Sequence, residues 1–336
     1  MGASEAEPSS SQLLRDVGVV AIGRNEGERL RHCFDSLPAL LGGVVYVDSA
    51  STDGSAEQAR MRRFEVVDLD MSLPFTAARA RNDGMRKLLE RWPGIEYVQF
   101  IDGDCALAPG WLEAAVREMG DNPRFAAVCG RRRERSPQTS VYNRLCDMEW
   151  DTPVGDAEAC GGDALFRKEA LLAVDGYDGR LIAGEEPEMC ARLRAQGWRI
   201  RRINEEMTLH DAAMTRFSQW WKRTARSGHA YVEVHALHPQ MWRRETRSVI
   251  RWGLILPTAA VVSAPFTGGL GLILLAGYPA LWFRVLRSRY SRGDSVRDAA
   301  LYATFCVLGK FPELAGMATY WWYRVRGRRS RLIEYK

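Results

Sequence analysis

Tyr97–Cys105 reads YVQFIDGDC. A short apolar, aromatic and β-branched run ends abruptly in two carboxylates separated by glycine, which is the signature of a buried strand delivering acidic groups to its carboxyl end. The same pattern recurs upstream. Val17–Ile22 (VGVVAI) and Val44–Val47 (VVYV, followed by Asp48) read as buried strands, and Phe64–Leu69 reads as another. Between them, Glu26–Leu41 places Leu30, Phe34, Leu37 and Leu41 at helical spacing, and Thr76–Trp92 reads as a helix stopped by Pro93-Gly94. Ser51-Thr-Asp-Gly-Ser supplies N-cap chemistry for a short helix, and Pro109 is expected to open the next one at its first position. Strands and helices alternating at these lengths predict an α/β fold built on an open, mostly parallel sheet flanked by helices.

In such sheets ligands bind beyond the carboxyl ends of the strands. Asn25 and Glu26 follow the first strand, Asp48 ends the second, and Asp102 and Asp104 end the fourth. Polar groups from three chain-distant segments are thus expected on one rim. No GxGxxG follows the first strand and no GxxxxGK[ST] is present, which disfavours a dinucleotide dehydrogenase and a P-loop NTPase. If the fourth strand continues through Asp104, two carboxylates at i, i+2 point the same way and share one cation. Oxygen ligands of this kind suit Mg2+ or Mn2+, completed by phosphate and water. The bland alternative is a plain Asp-Gly-Asp turn.

The order of motifs along the chain is more specific than any one of them. VxxxxRNE is followed by VDSASTDGS, ARARNDG, FIDGDCALAPGWL, GGDALFRKEAL and GEEPEMCARLRAQGWRI. Over about Val17 to Tyr231 this resembles the family 2 glycosyltransferases with their GT-A nucleotide-sugar-binding fold. The resemblance implies roles for particular residues. Asp48 falls where the nucleotide base is contacted, with Asn25 and Glu26 beside it, and Arg81 falls near the diphosphate. Asp102 and Asp104 fall on the DxD motif, the second Asp a metal ligand and the first by the ribose. Glu186 takes the place of the catalytic base, with Glu185 as the second candidate, and His210 falls near a position that completes the metal site. Ser49 departs from the commoner Asp-Asp pair after strand two, which leaves uridine and guanosine donors both open.

Pro187 suits the first turn of a helix and places Glu186 at or beside its N-cap, so the acidic run 185–188 also has a purely structural reading as a complement to the helix dipole. Gln219-Trp-Trp-Lys-Arg223 lies on an expected helix where Arg223 and Arg226 are candidate diphosphate partners, and the tryptophans read as packing or anchoring residues. Arg131–Arg135 (RRRER) reads as a solvated loop.

The chain has 336 residues, 46% hydrophobic and 26% charged, which excludes wholesale disorder. Its seven cysteines, none at CxxC spacing, exclude a zinc ribbon or a stapled secreted scaffold and fit a reducing compartment. Charge divides the chain. Arg243–Lys336 carries 16 Lys+Arg against 5 Asp+Glu, and the preceding stretch 31 against 37. The basic part is also the apolar one, which points to an anionic membrane surface and away from nucleic acid.

The expected organisation is therefore a disordered tail (1–14), a GT-A catalytic domain (15–240) and a membrane-associating helical region (241–336). Trp252–Phe283 is 32 residues without one charge, broken near its middle by Pro265 and Gly268-Gly269 and flanked by arginines on both sides. An apolar hairpin, both of its roots on the cytoplasmic side, fits that pattern better than one upright span. Residues 298–323 are expected to form one interfacial helix, kept out of the bilayer centre by Lys310 and Glu313. Arg324–Arg331 reads as a polybasic contact with anionic lipid.

The resulting expectation is a metal-dependent, inverting glycosyltransferase on the cytoplasmic face of the inner membrane. It would move a sugar from a nucleoside-diphosphate sugar to a lipid-linked or glycan acceptor in exopolysaccharide or cell-envelope synthesis. Two rivals stand beside it: a polyprenyl-phosphate glycosyltransferase, whose anionic acceptor needs no base, and a non-catalytic nucleotide-sugar-binding scaffold. A nucleotidyltransferase shares the layout but would carry a Gly-rich basic loop that Arg24-Asn-Glu-Gly does not match.

Overall fold

The computed structural model describes residues 13–327, which form two compact units. The first comprises residues 13–136, 149–180 and 185–212. It is built from β1 (Val17–Gly23), α1 (Glu28–Asp35), β2 (Gly43–Asp48), α2 (Ser55–Met61), β3 (Glu65–Asp68), α3 (Ala77–Arg91), β4 (Tyr97–Asp102), β5 (Cys105–Leu107), α4 (Trp111–Asp121) and β6 (Phe125–Glu134), and after α5 (Val141–Glu149) by β7 (Gly155–Ala157), β8 (Leu165–Arg167), α6 (Lys168–Ala173), α7 (Glu185–Ala195) and β9 (Arg199–His210).

Nine strands make one sheet in the order β3-β2-β1-β4-β8-β6-β9-β5, with β7 paired to β9. The half containing β1 to β4 is parallel, as their apolar sequences predict. β8 is antiparallel to β4 and β6, and β5 is antiparallel to β9. The chain order reverses beside β1, which lies between β2 and β4. Gly23 is level with Asp48 and Ile22 with Asp102, so the ends of three strands form one rim at the switch point.

The core explains the layers. Val17, Val19, Val20 and Ala21 of β1 are fully buried, as are Val45 and Val47 of β2 and Leu88 of α3. α3 approaches the sheet through Gly84, where an added Cβ would lie 2.4 Å from Val20 and 2.7 Å from Val47. Thr76 caps this helix, its hydroxyl accepting from the Arg79 amide at 3.2 Å. α1 ends at Asp35, short of the expected Leu41, because Pro38 disfavours helix at Leu37 and the Ser36 hydroxyl folds back onto the Cys33 carbonyl at 2.6 Å. α4 begins at Trp111 after a left-handed Gly110, so Pro109 precedes the cap and is not the first helical residue. Of the tail expected over 1–14, Leu14 is instead buried in the core, and residues 1–12 lie outside the described residues.

The second unit comprises residues 137–148, 181–184 and 213–327. Besides most of α5, its α-helices are α8 (Phe217–Leu237), α9 (Arg243–Val249), α10 (Leu256–Ser263), α11 (Gly277–Tyr290), α12 (Val296–Leu308) and α13 (Lys310–Val325). α8 and α13 cross at two glycines, Gly228 and Gly316, where an added Cβ would lie 2.0 Å or less from the facing helix backbone. The single helix expected over 298–323 is thus two, α12 and α13, parted at Gly309 just before Pro312. One face of α13, with Met317 and Tyr320, is buried. Trp220 is buried against Phe305, with ring centres 4.8 Å apart, whereas Trp221 is exposed.

Candidate active site

Three groups of side chains meet on the rim of the first unit. The first ties the loops after β1 and β2. Asn25, at φ 55°, donates its amide to the Ser51 hydroxyl at 2.9 Å and accepts from the Thr52 amide at 2.8 Å. Asp53 accepts from the Gly27 amide at 2.8 Å and from both Ser55 donors, so it ties the loop after β1 to the first residue of α2, whose cap position is the left-handed Gly54. Those bonds hold the Asp53 carboxyl below its ordinary range against the opposing pull of its partial burial. Asp48 is buried and accepts from Tyr46 Oη at 3.1 Å and from the Ser51 amide at 2.8 Å. Glu26 is half-buried and pairs with Arg29 at 2.8 Å.

The second group is organised by Arg81, whose guanidinium is almost fully buried. It donates to Asp102 at 2.8 Å, to Glu185 at 3.1 Å and to Glu186 at 2.9 Å, and lies 5.5 Å from the Tyr177 ring centre. One cation from α3 therefore joins the end of β4 to the start of α7. Burial alone would favour neutral arginine, yet the surrounding carboxylates hold its pKa well above the ordinary value. Glu186 is pushed toward its neutral form. Burial and the neighbouring Glu185 raise its pKa to about 7 although Arg81 opposes the shift. Gly162 permits this close packing: an added Cβ would sit 2.2 Å from Arg81 Nη2 and 3.0 Å from Glu186 Oε1. Glu186 is the second residue of α7 and not its cap, and Gly184 precedes the helix at φ 80°.

The third group lies beneath the Asp-Gly-Asp turn. β4 stops at Asp102, and Gly103 and Asp104 form a turn before β5, so the strand parity expected to align the two carboxylates does not apply. Asp102 faces Arg81 and, through Cys105, shares a set of potential ligand atoms with Asp163. Asp104 is buried in a separate set with Cys105 and His210, and its carboxylate is 3.4 Å from His210 Nε2. β5 pairs Cys105 with His210, which fixes that approach. The other imidazole nitrogen, Nδ1, is buried without a hydrogen-bond partner, and the ring meets Trp150 edge to face at 4.7 Å. Burial pushes the Cys105 thiol well above its ordinary pKa, so it stays neutral and offers a weak ligand. One carboxylate oxygen and one imidazole nitrogen, both preplaced, fit a small divalent ion that keeps positions open for phosphate and water.

Sequence reasoning did not find Asp163, Arg132 or Glu134. Asp163 is fully buried, forms an ion pair with Arg132 at 2.5 Å and accepts from Thr208 Oγ1 at 2.9 Å and from the Asp102 amide at 3.2 Å. Glu134 accepts from the Ala212 amide at 3.0 Å and lies 3.8 Å from His210 Nδ1. The stretch expected to be a solvated loop, 131–135, is thus largely the end of a strand: Arg131 and Arg133 reach Asp151 and Glu206 from one side, while Arg132 turns in to Asp163 and Asp102. Strand alternation across RRRE was the signal available. Arg223 and Arg226 are half-buried residues of α8 in the second unit.

Comparison with known proteins bears on this geometry. The family description "Glycosyl transferase family 2" matches residues 19–171. The chain is 26% identical over 247 residues to the pre-mycofactocin glycosyltransferase of Mycobacterium tuberculosis, a match covering 69% of this chain and 50% of that protein. It is 23% identical over 245 residues to the glycosyltransferase AglE of Haloferax volcanii, covering 68% and 77%. The chain thus spans about half the length of the first of these relatives. Among solved structures, the mannosyltransferase PcManGT from Pyrobaculum calidifontis, in complex with GDP-Man and Mn2+, matches with TM-score 0.62 at 20% identity, covering 91% of this chain and 87% of that one. GalNAc-T7 with UDP, GalNAc and Mn2+ matches with TM-score 0.50 at 15% identity, covering 72% and 51%. Both likenesses concern the fold, which is of the GT-A type. Residues 19–171 of the chain are thus similar in sequence to glycosyl transferase family 2.

Proposed function

We propose that the protein is a metal-dependent, inverting glycosyltransferase that uses a nucleoside-diphosphate sugar and a hydroxyl acceptor. The observation that carries this reading is the bridge made by Arg81, which joins Asp102 to a glutamate titrating near neutrality. A general base is most effective when its pKa lies close to the working pH. Glu186 meets that requirement through burial and the Glu185 charge, while Arg81 fixes its position.

In the proposed reaction Glu186 takes the proton of the acceptor hydroxyl as the new bond forms between that oxygen and the anomeric carbon. The bond from the anomeric carbon to the diphosphate oxygen breaks on the opposite face, and the nucleoside diphosphate leaves with the electron pair. Asp104 and His210 would hold the divalent ion, Mg2+ or Mn2+, which offers its charge to the diphosphate. Asp102, held by Arg81, faces the ribose. Asp48, with Asn25 and Glu26 on the neighbouring loop, borders the place for the base. The relatives' complexes with GDP-Man, UDP and Mn2+ support the donor class and the ion.

The acceptor is proposed to be lipid-linked or membrane-delivered, with the catalytic unit on the cytoplasmic face of the inner membrane. The support is the apolar stretch of the second unit and its exposed arginines, including one helix, Leu270–Tyr290, long and apolar enough to cross a membrane by length and composition. Synthesis of exopolysaccharide or cell-envelope glycan is the corresponding process.

A panel of nucleotide sugars, assayed for diphosphate release with Mg2+ or Mn2+ and with or without membrane extract, tests the reading. Release that requires the ion and rises with extract supports it. Release unchanged by chelation overturns the metal assignment, and donor binding without transfer supports the scaffold. Full activity of Glu186→Gln would favour an anionic phosphate acceptor, which needs no base.

A further inference from the structure

The stretch Trp252–Phe283 folds as a helical hairpin whose height, internally bonded tip and basic roots fit one environment. Its first arm runs from α9 through a π-wound turn, Ile250–Ile255, into α10. The π turn immediately precedes Pro257, which has no amide hydrogen to continue the α ladder. The second arm is a 3-10 stretch, Leu270–Ala276, continued by α11. The arms touch along their length. Gly271 faces Ser263 near the tip, and at the roots Gly277 faces Trp252, whose carbonyl accepts from Tyr278 Oη at 2.6 Å.

Near its roots the hairpin also packs on α12 and α13, with Trp282 Nε1 donating to Thr304 Oγ1 at 3.0 Å and Gly253 close to the Lys310 carbonyl, but toward the tip it is bare. Val261, Val262, Phe266, Leu270 and Ile273 are all exposed, Phe266 at the tip by 85%. Several of the tip's polar groups nevertheless find partners within it. The Gly269 amide donates to the Ala264 carbonyl at 2.8 Å and the Gly271 amide to Thr267 Oγ1 at 2.8 Å. The Thr267 and Ser263 hydroxyls donate back to the Ser263 and Ala259 carbonyls at 2.8 and 2.6 Å. Gly268 and Gly269 close the turn in the left-handed region, at φ 58° and 91°. A turn facing water has no need of such closure, whereas one facing hydrocarbon does. Beyond the roots, Arg243, Arg244, Arg247 and Arg251 are exposed on one arm and Arg284 and Arg287 on the other. Arg289 differs: it is buried in an ion pair with Asp294 at 2.5 Å.

Length decides the mode of insertion. From Trp252 to Ala264 the rise is ~20 Å, and from Leu270 to Phe283 ~25 Å, against a hydrocarbon core of ~30 Å. Leu270–Tyr290 reaches crossing length only by counting Arg284, Arg287 and Arg289. We infer that the hairpin is a re-entrant anchor. It enters an anionic bilayer from the face on which both roots lie, turns within the hydrocarbon at Phe266–Gly269, and returns to the same face. Trp252 and Tyr278 sit at the interface level, where aromatic rings are favoured, and the exposed arginines engage anionic headgroups. This rests on the membrane reading above and specifies its geometry.

The full chain carrying Cys306→Ser and Phe266→Cys, labelled with an environment-sensitive fluorophore, provides the test, because the other six native cysteines are buried. It is mixed with phosphatidylcholine vesicles with and without phosphatidylglycerol. On the anionic vesicles the tip label is expected to be quenched by acyl-chain quenchers and shielded from aqueous quencher both outside and trapped inside. A label at Arg247→Cys is expected to be quenched from outside. Phe266→Asp, with diphosphate release unchanged, is expected to lower vesicle partitioning at least about tenfold. Four results would overturn the anchor: a tip reached from the vesicle interior, which means crossing; a tip reached from outside while bound, which means adsorption; a tip shielded without lipid in a larger oligomer, which means a second copy covers it; or unchanged partitioning of Phe266→Asp. Failure to float with either vesicle would instead remove the membrane reading while leaving the transferase assignment standing.

Discussion

The rim of the first unit buries charge, and the hairpin of the second unit exposes hydrocarbon. Each reverses the ordinary partition of side chains, and the two reversals differ in how they are stabilised. Arg81, Glu185 and Asp163 are removed from water but are compensated at hydrogen-bond distances, Arg81 and Glu185 by each other and Asp163 by Arg132. Phe266 and Ile273 have no such compensation within the described residues, because an exposed apolar surface can be covered only by something outside the chain. A buried charge network therefore points to chemistry, and an uncovered apolar surface points to a partner.

The largest effect should come from the network's reactive member. Glu186→Gln keeps the shape and removes the base, so turnover should fall about 10²–10⁴-fold with donor affinity preserved, measured as kcat against Kd for the nucleotide sugar. A loss of donor affinity with normal turnover would make Glu186 a binding residue. Next comes Arg81→Met, which leaves buried carboxylates unpaired and should lower the unfolding free energy by about 3–5 kcal/mol in urea titration. An effect near zero would mean that the carboxylates are solvated and that the contrast between the two regions is overstated.

The same pair predicts a pH response. Glu186 acts as a base only when deprotonated, so kcat should fall tenfold for each pH unit below about 7, the value to which burial and Glu185 raise it. Arg81 opposes that rise, so a folded variant lacking the cation, such as Arg81→Gln, should move the acidic limb to higher pH. A limb that stays in place would assign it to another group.

Much of this architecture is legible in the sequence where one segment suffices. β1, β2 and β4 announce themselves by unbroken apolar runs, Asp48 and Asp102 by standing at their ends, and the hairpin by 32 residues without charge. The rest depends on contacts between distant segments. Nothing near Asp163 in the chain tells that Arg132 and Thr208 will reach it. The pairing of Asp104 with His210 follows from β5 lying against β9, and Gly103, by ending β4, undoes the parity that would have aligned Asp102 with Asp104. The strand character of the RRRE segment was hidden by composition, since three arginines read as solvated until strand alternation sends one of them inward.

The smallest effect sharpens the opening contrast most directly. Leu30 of α1 is fully buried, whereas Leu272 of the hairpin is 49% exposed. Replacing each by serine deletes a similar hydrocarbon volume but removes different surroundings. Leu30→Ser loses packing and leaves a hydroxyl in the core, so it should cost about 2–5 kcal/mol in urea unfolding. Leu272→Ser gives a hydroxyl to water, and in detergent-free solution should change stability by no more than about 0.5 kcal/mol. With anionic vesicles present, the second substitution should weaken binding measurably, because the lost contact is then with lipid. If Leu272→Ser were as damaging in solution as Leu30→Ser, the hairpin would be a buried element of the soluble fold and its exposed face would have no partner to find.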